Sequence, residues 1–209
     1  MLRGGVASCG VDQAAPSAHL LNRLVANPAR TVMLGFAATI AVGTLVLMTP
    51  FAAESREPTD ALTALFTATS ATCVTGLVTV DTGGHWSTFG ELVILALIQI
   101  GGLGIMTMAS LVGLLLANRI GLKARLNTAA EAKASGLGDV RSVIVGVVRV
   151  SLMFEAVTAA ILALRFALGY DEAPLRALWL GVFHSISAFN NAGFALFSDN
   201  MIGFAEDPW

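Results

Sequence analysis

Charge is scarce in this chain. Only 12% of its 209 residues are Asp, Glu, Lys or Arg, while 56% are hydrophobic; a soluble domain carries roughly 25% charged residues. That shortage excludes an ordinary water-facing surface over much of the molecule and points to lipid as the surrounding solvent. Cysteine is nearly absent. Cys9 and Cys73 make no disulfide framework, and no CxxC or Cys/His cluster offers a metal site. Residues 1–30 hold Arg3, Arg23 and Arg30 but no continuous apolar core, so no cleavable signal peptide is expected; they read as a flexible or surface-lying cytoplasmic tail. The apolar segments also lack a nucleophile with a base, a carboxylate pair and a ligand set. Ser151 and His184 fall in different elements without evident partners, so no enzyme, no cofactor and no nucleic-acid partner is expected.

Long hydrophobic runs, by contrast, are plentiful. Thr31–Phe51, Leu92–Ala117 and Val143–Phe166 are each long enough to cross a bilayer, which needs about 20 apolar residues. Two shorter runs, Ala61–Ala71 and Leu175–Phe189, are too short to cross and read as buried or re-entrant helices, which need protein or a water-filled cavity around them. Arg119, Lys123, Arg125, Lys133 and Arg141 gather between the second and third spans. The positive-inside rule then predicts that the tail and this loop are cytoplasmic. Glu54, Glu57, Asp60, Asp81, Asp171, Glu172, Asp199, Glu206 and Asp207 fall on the other side, as a solvated face that would also concentrate cations.

Sliding the chain on itself by 117 residues lays Phe66 on Phe183, Ser70 on Ser187, Ala71 on Ala188 and Gly76 on Gly193, and puts the first span onto 148–168. The implied unit is span, short helix, glycine loop, span. A first copy occupies 31–118; a second, 143–209, lacks its last span; 1–30 is the tail and 119–142 the connecting loop. In the two loops lie Thr72, Cys73, Val74, Thr75 and Gly76, then Asn190, Asn191, Ala192, Gly193 and Phe194. Neither loop has a carboxylate, so charge pairing with a cation is excluded. An extended backbone still offers carbonyl oxygens, and rings of these replace the hydration shell of potassium in selectivity filters. Glycine suits such a strand because it accepts backbone angles closed to other residues, and the short helix would aim its partially negative C-terminus at the ion. Ordinary turn glycines are the competing reading of Gly76 and Gly193.

TATSATCVTGLVTVDT (67–82), HSISAFNNAGF (184–194) and QIGGLGIM (99–106) resemble the Trk/Ktr/HKT superfamily of potassium transporters, most closely bacterial TrkH/KtrB ion-conducting subunits. The resemblance covers roughly residues 30–209. It implies an all-α integral membrane fold of four span–pore helix–span repeats around one pore, with a re-entrant filter loop from each. It implies potassium as the transported ion, a multi-pass location in the cell membrane, a homodimer, and a cytoplasmic nucleotide-binding regulatory ring of the TrkA/KtrA type. A Ser in the first filter of this superfamily accompanies sodium permeation, so Gly76 favours potassium. About one and a half of the four repeats are present, so the chain is expected to be an N-terminal fragment or truncated frame. A sodium- or proton-coupled solute carrier with broken helices is the alternative.

Other residues take quieter readings. The glycines of 101–106 let helices approach closely. Glu155 lies deep in the third span, on another face from Arg149, with packing and conduction both open. His184 reads as a hydrogen-bonded helix residue. His85, Trp86 and Trp179 suit a membrane–water interface, and the 119–141 loop suits lipid head groups or the regulatory ring.

Overall fold

The computed structural model describes residues 28–117 and 140–207. The expectations for the tail and for most of the basic loop lie outside these residues. The described residues from Ala38 onward form one compact unit, and those of 28–37, the first turns of one helix, belong to another.

Among the described residues, six helices follow in order: α1 (Pro28–Leu47), α2 (Ala61–Thr72), α3 (Thr82–His85), α4 (Thr88–Ala117), α5 (Val140–Gly169) and α6 (Pro174–Phe189), then a 3₁₀ turn at Ile202–Phe204. There is no strand among the described residues beyond an isolated bridge between Ala53 and Trp86. Helices α1, α4 and α5 contain windows long and apolar enough to cross a membrane: Arg30–Leu47, Thr88–Ser110 and Ile144–Gly169. At 1.5 Å per residue, α2 and α6 reach only about 18 and 24 Å, short of a hydrocarbon core of about 30 Å.

Local signals set the short helices. Asp60 caps α2 by accepting the Leu62 amide at 3.0 Å, a contact worth about 1 kcal/mol. Pro174 opens α6, where its missing N–H costs nothing. Helix α6 lies along α5, while α4 touches α2, α5 and α6. The α5–α6 approach depends on Gly181: a Cβ there would meet the Ala159 carbonyl and the Ala163 nitrogen, each at 2.7 Å. Leu47, Ile94, Ile98, Leu180 and Phe183 form the middle of the core.

Trp86 departs from expectation. It is 2% exposed, within the core rather than at an interface. Residues 52–54 fold onto 85–87 through Glu54 N–H to His85 O (2.9 Å) and Ser87 N–H to Ala52 O (2.9 Å), and Gly90 admits the Ala52 carbonyl. The end of α1 and the start of α4 are thereby brought to one end of the bundle, and the chain between them dips inward as α2. Trp179 is half-buried and donates its indole N–H to Glu91 at 2.6 Å. Val150, Met153, Phe154, Val157, Ile161 and Leu164 on α5 are exposed, the surface that lipid or further membrane-embedded protein would cover.

Candidate functional site

Helices α2 and α6 end in the same way. Cys73, Val74 and Thr75 donate their amides to the carbonyls of Thr69 (2.8 Å), Ala71 (3.3 Å) and Ser70 (2.9 Å). Asn190, Asn191 and Ala192 donate theirs to Ile186 (3.1 Å), Ala188 (3.0 Å) and Ser187 (2.7 Å). Each bond of the first set maps onto the second by a shift of 117. The pattern is a Schellman closure, which satisfies carbonyls that a helix end leaves free and requires a left-handed residue just past the cap. Asn191 takes that place with φ 58°, and Val74 with φ 57°. Asn tolerates this conformation, whereas a β-branched residue there is strained.

Two residues on, the chain turns left-handed again, at Gly76 (φ 72°) and Gly193 (φ 75°). The two glycines face each other. A Cβ on Gly76 would stand 2.5 Å from the Ala192 carbonyl oxygen and 3.0 Å from Gly193 Cα; a Cβ on Gly193 would stand 3.2 Å from Gly76 Cα. Glycine is thus required twice over, by backbone angle and by space.

Helices α2 and α6 brace the loops at equivalent positions. Ser70 accepts the Thr75 hydroxyl at 3.0 Å, and Ser187 donates to the Phe194 carbonyl at 2.7 Å. Beyond the glycines the exits also touch: Ser198 donates to Asp81 at 2.8 Å, and these positions again differ by 117. A cavity of about 120 Å³ lies between the exits, lined by Val78, Asp81, Gly193, Ser198 and Asn200 among others.

Of the ten loop residues expected to form a site, Thr72 is instead the last residue of α2, because the Schellman bonds begin only after it. Its side chain is buried, as are those of Asn190, Ala192 and Phe194. Cys73, Thr75, Asn191 and Gly193 are exposed, with Val74 and Gly76 intermediate.

Helix α4 supplies the floor that both loops rest on. The Thr72 carbonyl lies where a Gly101 side chain would be, and Asn190 Oδ1 lies where a Gly102 side chain would be. The close approach expected of these glycines is therefore to the loop ends rather than only to another helix. A second feature went unread in the sequence. Gln99 Nε2 donates to both oxygens of Glu155, at 3.0 and 3.1 Å, and Asn190 Nδ2 donates to Gln99 Oε1 at 3.2 Å. The Thr72 hydroxyl and Asn190 Oδ1 are buried without a hydrogen-bond partner.

His184 holds the far side of the second loop. Its Nδ1 lies 2.8 Å from the Leu180 carbonyl and its Nε2 3.3 Å from the Leu196 amide, which fixes a neutral ring that donates from Nδ1 and accepts at Nε2. The ring stacks on Phe197, centroids 4.9 Å apart. Burial holds this imidazole below its ordinary value of 6.5; the Leu180 bond opposes that shift and the Arg176 charge adds to it. A histidine depressed on folding contributes stability that is complete above the unfolded value and lost as pH falls through the folded one. Thermal stability in detergent is therefore expected to decline below pH 6.5. His184→Gln should flatten that decline while costing about 1–3 kcal/mol at neutral pH. Equal pH dependence in the two proteins would remove His184 as the cause.

Residues 10–209 match the TrkH family, described as cation transport protein. This chain belongs to the TrkH family. It is similar to Ktr system potassium uptake protein B of Bacillus subtilis (strain 168), with 42% identity over 185 residues, 87% of this chain and 40% of that protein. The Ktr system potassium uptake protein B of Vibrio alginolyticus is 37% identical over 86% of this chain and 38% of its own length. The potassium/sodium uptake protein NtpJ of Enterococcus hirae is 32% identical over 84% and 39%. The chain thus spans about 40% of the length of the curated relatives it matches. Family membership and three membrane-length apolar helices make it an all-α membrane protein of an ion-transport family, not an enzyme.

Proposed function

We propose that residues 73–76 and 190–194 are two filter strands of a pore that takes up potassium across the cell membrane, within the membrane subunit of a Trk/Ktr-type system. The observation that carries this reading is the matched backbone of the two loops, left-handed at alternate residues and in contact at Gly76 and Gly193. Along an ordinary extended strand successive carbonyls point to opposite sides. A positive φ at every second residue turns the intervening peptide planes, so that successive carbonyls share a side and can replace water around a cation. The Schellman ends leave each short helix aiming its partially negative C-terminus at the same place. The residue sets 31–118 and 143–209 are then two repeats of this unit, joined by 119–142, with the 1–30 tail cytoplasmic. Further filter strands, a second copy of the subunit and a nucleotide-binding cytoplasmic ring complete the system. A solute carrier would need breaks inside its long helices, whereas α4 and α5 run for 30 residues each.

The test is rubidium and sodium uptake in bacteria deficient in potassium uptake, expressing the longest reading frame that carries residues 1–209, with and without Gly76→Asp. Rubidium-selective uptake is expected from the wild type and none from the variant. A well-inserted wild type that carries no rubidium, or a variant that carries as much as wild type, would overturn the filter.

A further inference from the structure

Glu155 sits midway along α5 with 4% of its surface exposed, in a segment long and apolar enough to lie within the membrane. An ionisable group there is costly and marks function by default. Among the described residues no Lys or Arg pairs with it: the one ion pair joins Arg165 to Asp207, and Arg149 is exposed. The contacts of its carboxylate are all to amide N–H₂ donors. Gln99 gives two, at 3.0 and 3.1 Å, and Asn190 a longer one at 3.4 Å. Such donors suit a group that has only acceptors to offer.

Packing does not require this carboxylate. The α5–α6 contact already closes over Gly181 and through the Ser185 hydroxyl, which donates to the Glu155 backbone carbonyl at 2.7 Å. Asn190 is held independently by the Ile186 carbonyl at 2.9 Å. Asn190 is also the residue on which the second loop begins, so the carboxylate stands one side chain behind that strand. The arrangement occurs once: a shift of 117 puts Ala38 in place of Glu155 and Cys73 in place of Asn190. The first loop therefore has no carboxylate behind it at this position.

We propose that Glu155 is a fixed negative charge that raises the affinity of the pore for its cation, positioned behind the second strand by Gln99 and Asn190. It is a positioning residue and does not touch the ion. The inference rests on the filter reading above. At a short separation in a medium of low polarity a unit charge attracts a cation far more strongly than it would across water, and it repels anions equally. The two loops then differ in kind: one acts by backbone alone, the other by backbone with a charge behind it.

The experiment measures KM and maximal rate of rubidium uptake by the longest reading frame that carries these residues, for wild type, Glu155→Gln, Glu155→Asp and the swap Glu155→Gln with Gln99→Glu. Gly76→Asp serves as the inactive control. Glu155→Gln is expected to raise KM about tenfold with little change in maximal rate per inserted molecule. Glu155→Asp and the swap, which each keep one carboxylate in the network, should return KM towards wild type. An unchanged KM in Glu155→Gln overturns the inference, and so does a fall in maximal rate alone. If Glu155→Gln does not insert, the swap decides: a wild-type KM supports the fixed charge, and a raised one overturns it. Active wild type, inactive Gly76→Asp and an indifferent Glu155→Gln would sink this inference alone, whereas a wild type without uptake would sink the filter with it.

Discussion

Gly76→Ala is expected to cut rubidium uptake by about 30-fold or more while leaving the protein in the membrane. Two costs combine. An L-residue in the left-handed region loses roughly 1–2 kcal/mol, and forcing a methyl group into an occupied space adds about 1–3 kcal/mol. The added Cβ would be 2.5 Å from the Ala192 carbonyl oxygen, and backbone on both sides leaves no flexible side chain to yield. Relief comes only from parting the strands or rotating a peptide plane, and on the proposed filter reading either removes carbonyls from the ion's path. With about 1.4 kcal/mol per decade, the sum of about 2–5 kcal/mol corresponds to about one and a half to three and a half decades. The reciprocal Gly193→Ala is milder. Its Cβ would be 3.2 Å from Gly76 Cα and farther from any oxygen, so the second strand gives way by a few tenths of an ångström. Uptake falling more in Gly193→Ala than in Gly76→Ala would contradict the contact geometry.

Gly101→Val should damage the protein at its foundation. A Cβ at Gly101 would overlap the Thr72 carbonyl oxygen and lie 2.8 Å from its carbon. Helix α4 must back away from α2, or the end of α2 must shift together with the first loop. Overpacking of this kind costs about 3 kcal/mol or more, and a drop of roughly 5 °C or more in the melting temperature in detergent follows, together with loss of uptake. Gly146→Val is the control. It lies in a helix of the same length with nothing within 4 Å of its Cβ, and should change melting little. Equal behaviour of the two variants would show that α4 does not bear on the loop as described.

Hydropathy and helix signals made the helices legible. Thr31–Phe51, Leu92–Ala117 and Val143–Phe166 lie largely on α1, α4 and α5, and Ala61–Ala71 and Leu175–Phe189 differ from α2 and α6 by one residue. A span is a matter of length and apolarity, which a sequence displays directly. The two glycines were legible through the shift of 117 that aligns them. What stayed hidden depends on partners distant in the chain. Gln99 and Glu155 are 56 residues apart, and Gln99 and Asn190 are 91 apart; no local periodicity marks such a triangle. Trp86 looked like an interface residue because its ring is amphipathic, yet its burial is set by the return of residues 52–54. The left-handed Val74 was equally invisible, since its side chain argues against that conformation and only the end of α2 enforces it.

The contact between Gly76 and Gly193 has a consequence in time. A ribosome adds about 5–20 residues per second, so the second glycine emerges roughly 6–23 seconds after the first. On the filter reading proposed above, α2 and its loop wait in the membrane through that interval with their neighbour still unmade, exposing the very backbone groups that lipid tolerates least. The same reading requires that insertion machinery or neighbouring chains shelter α2 and its loop until residues 184–198 arrive. Slowing translation between the two loops should therefore increase degradation of the nascent protein more than an equal delay placed before residue 61.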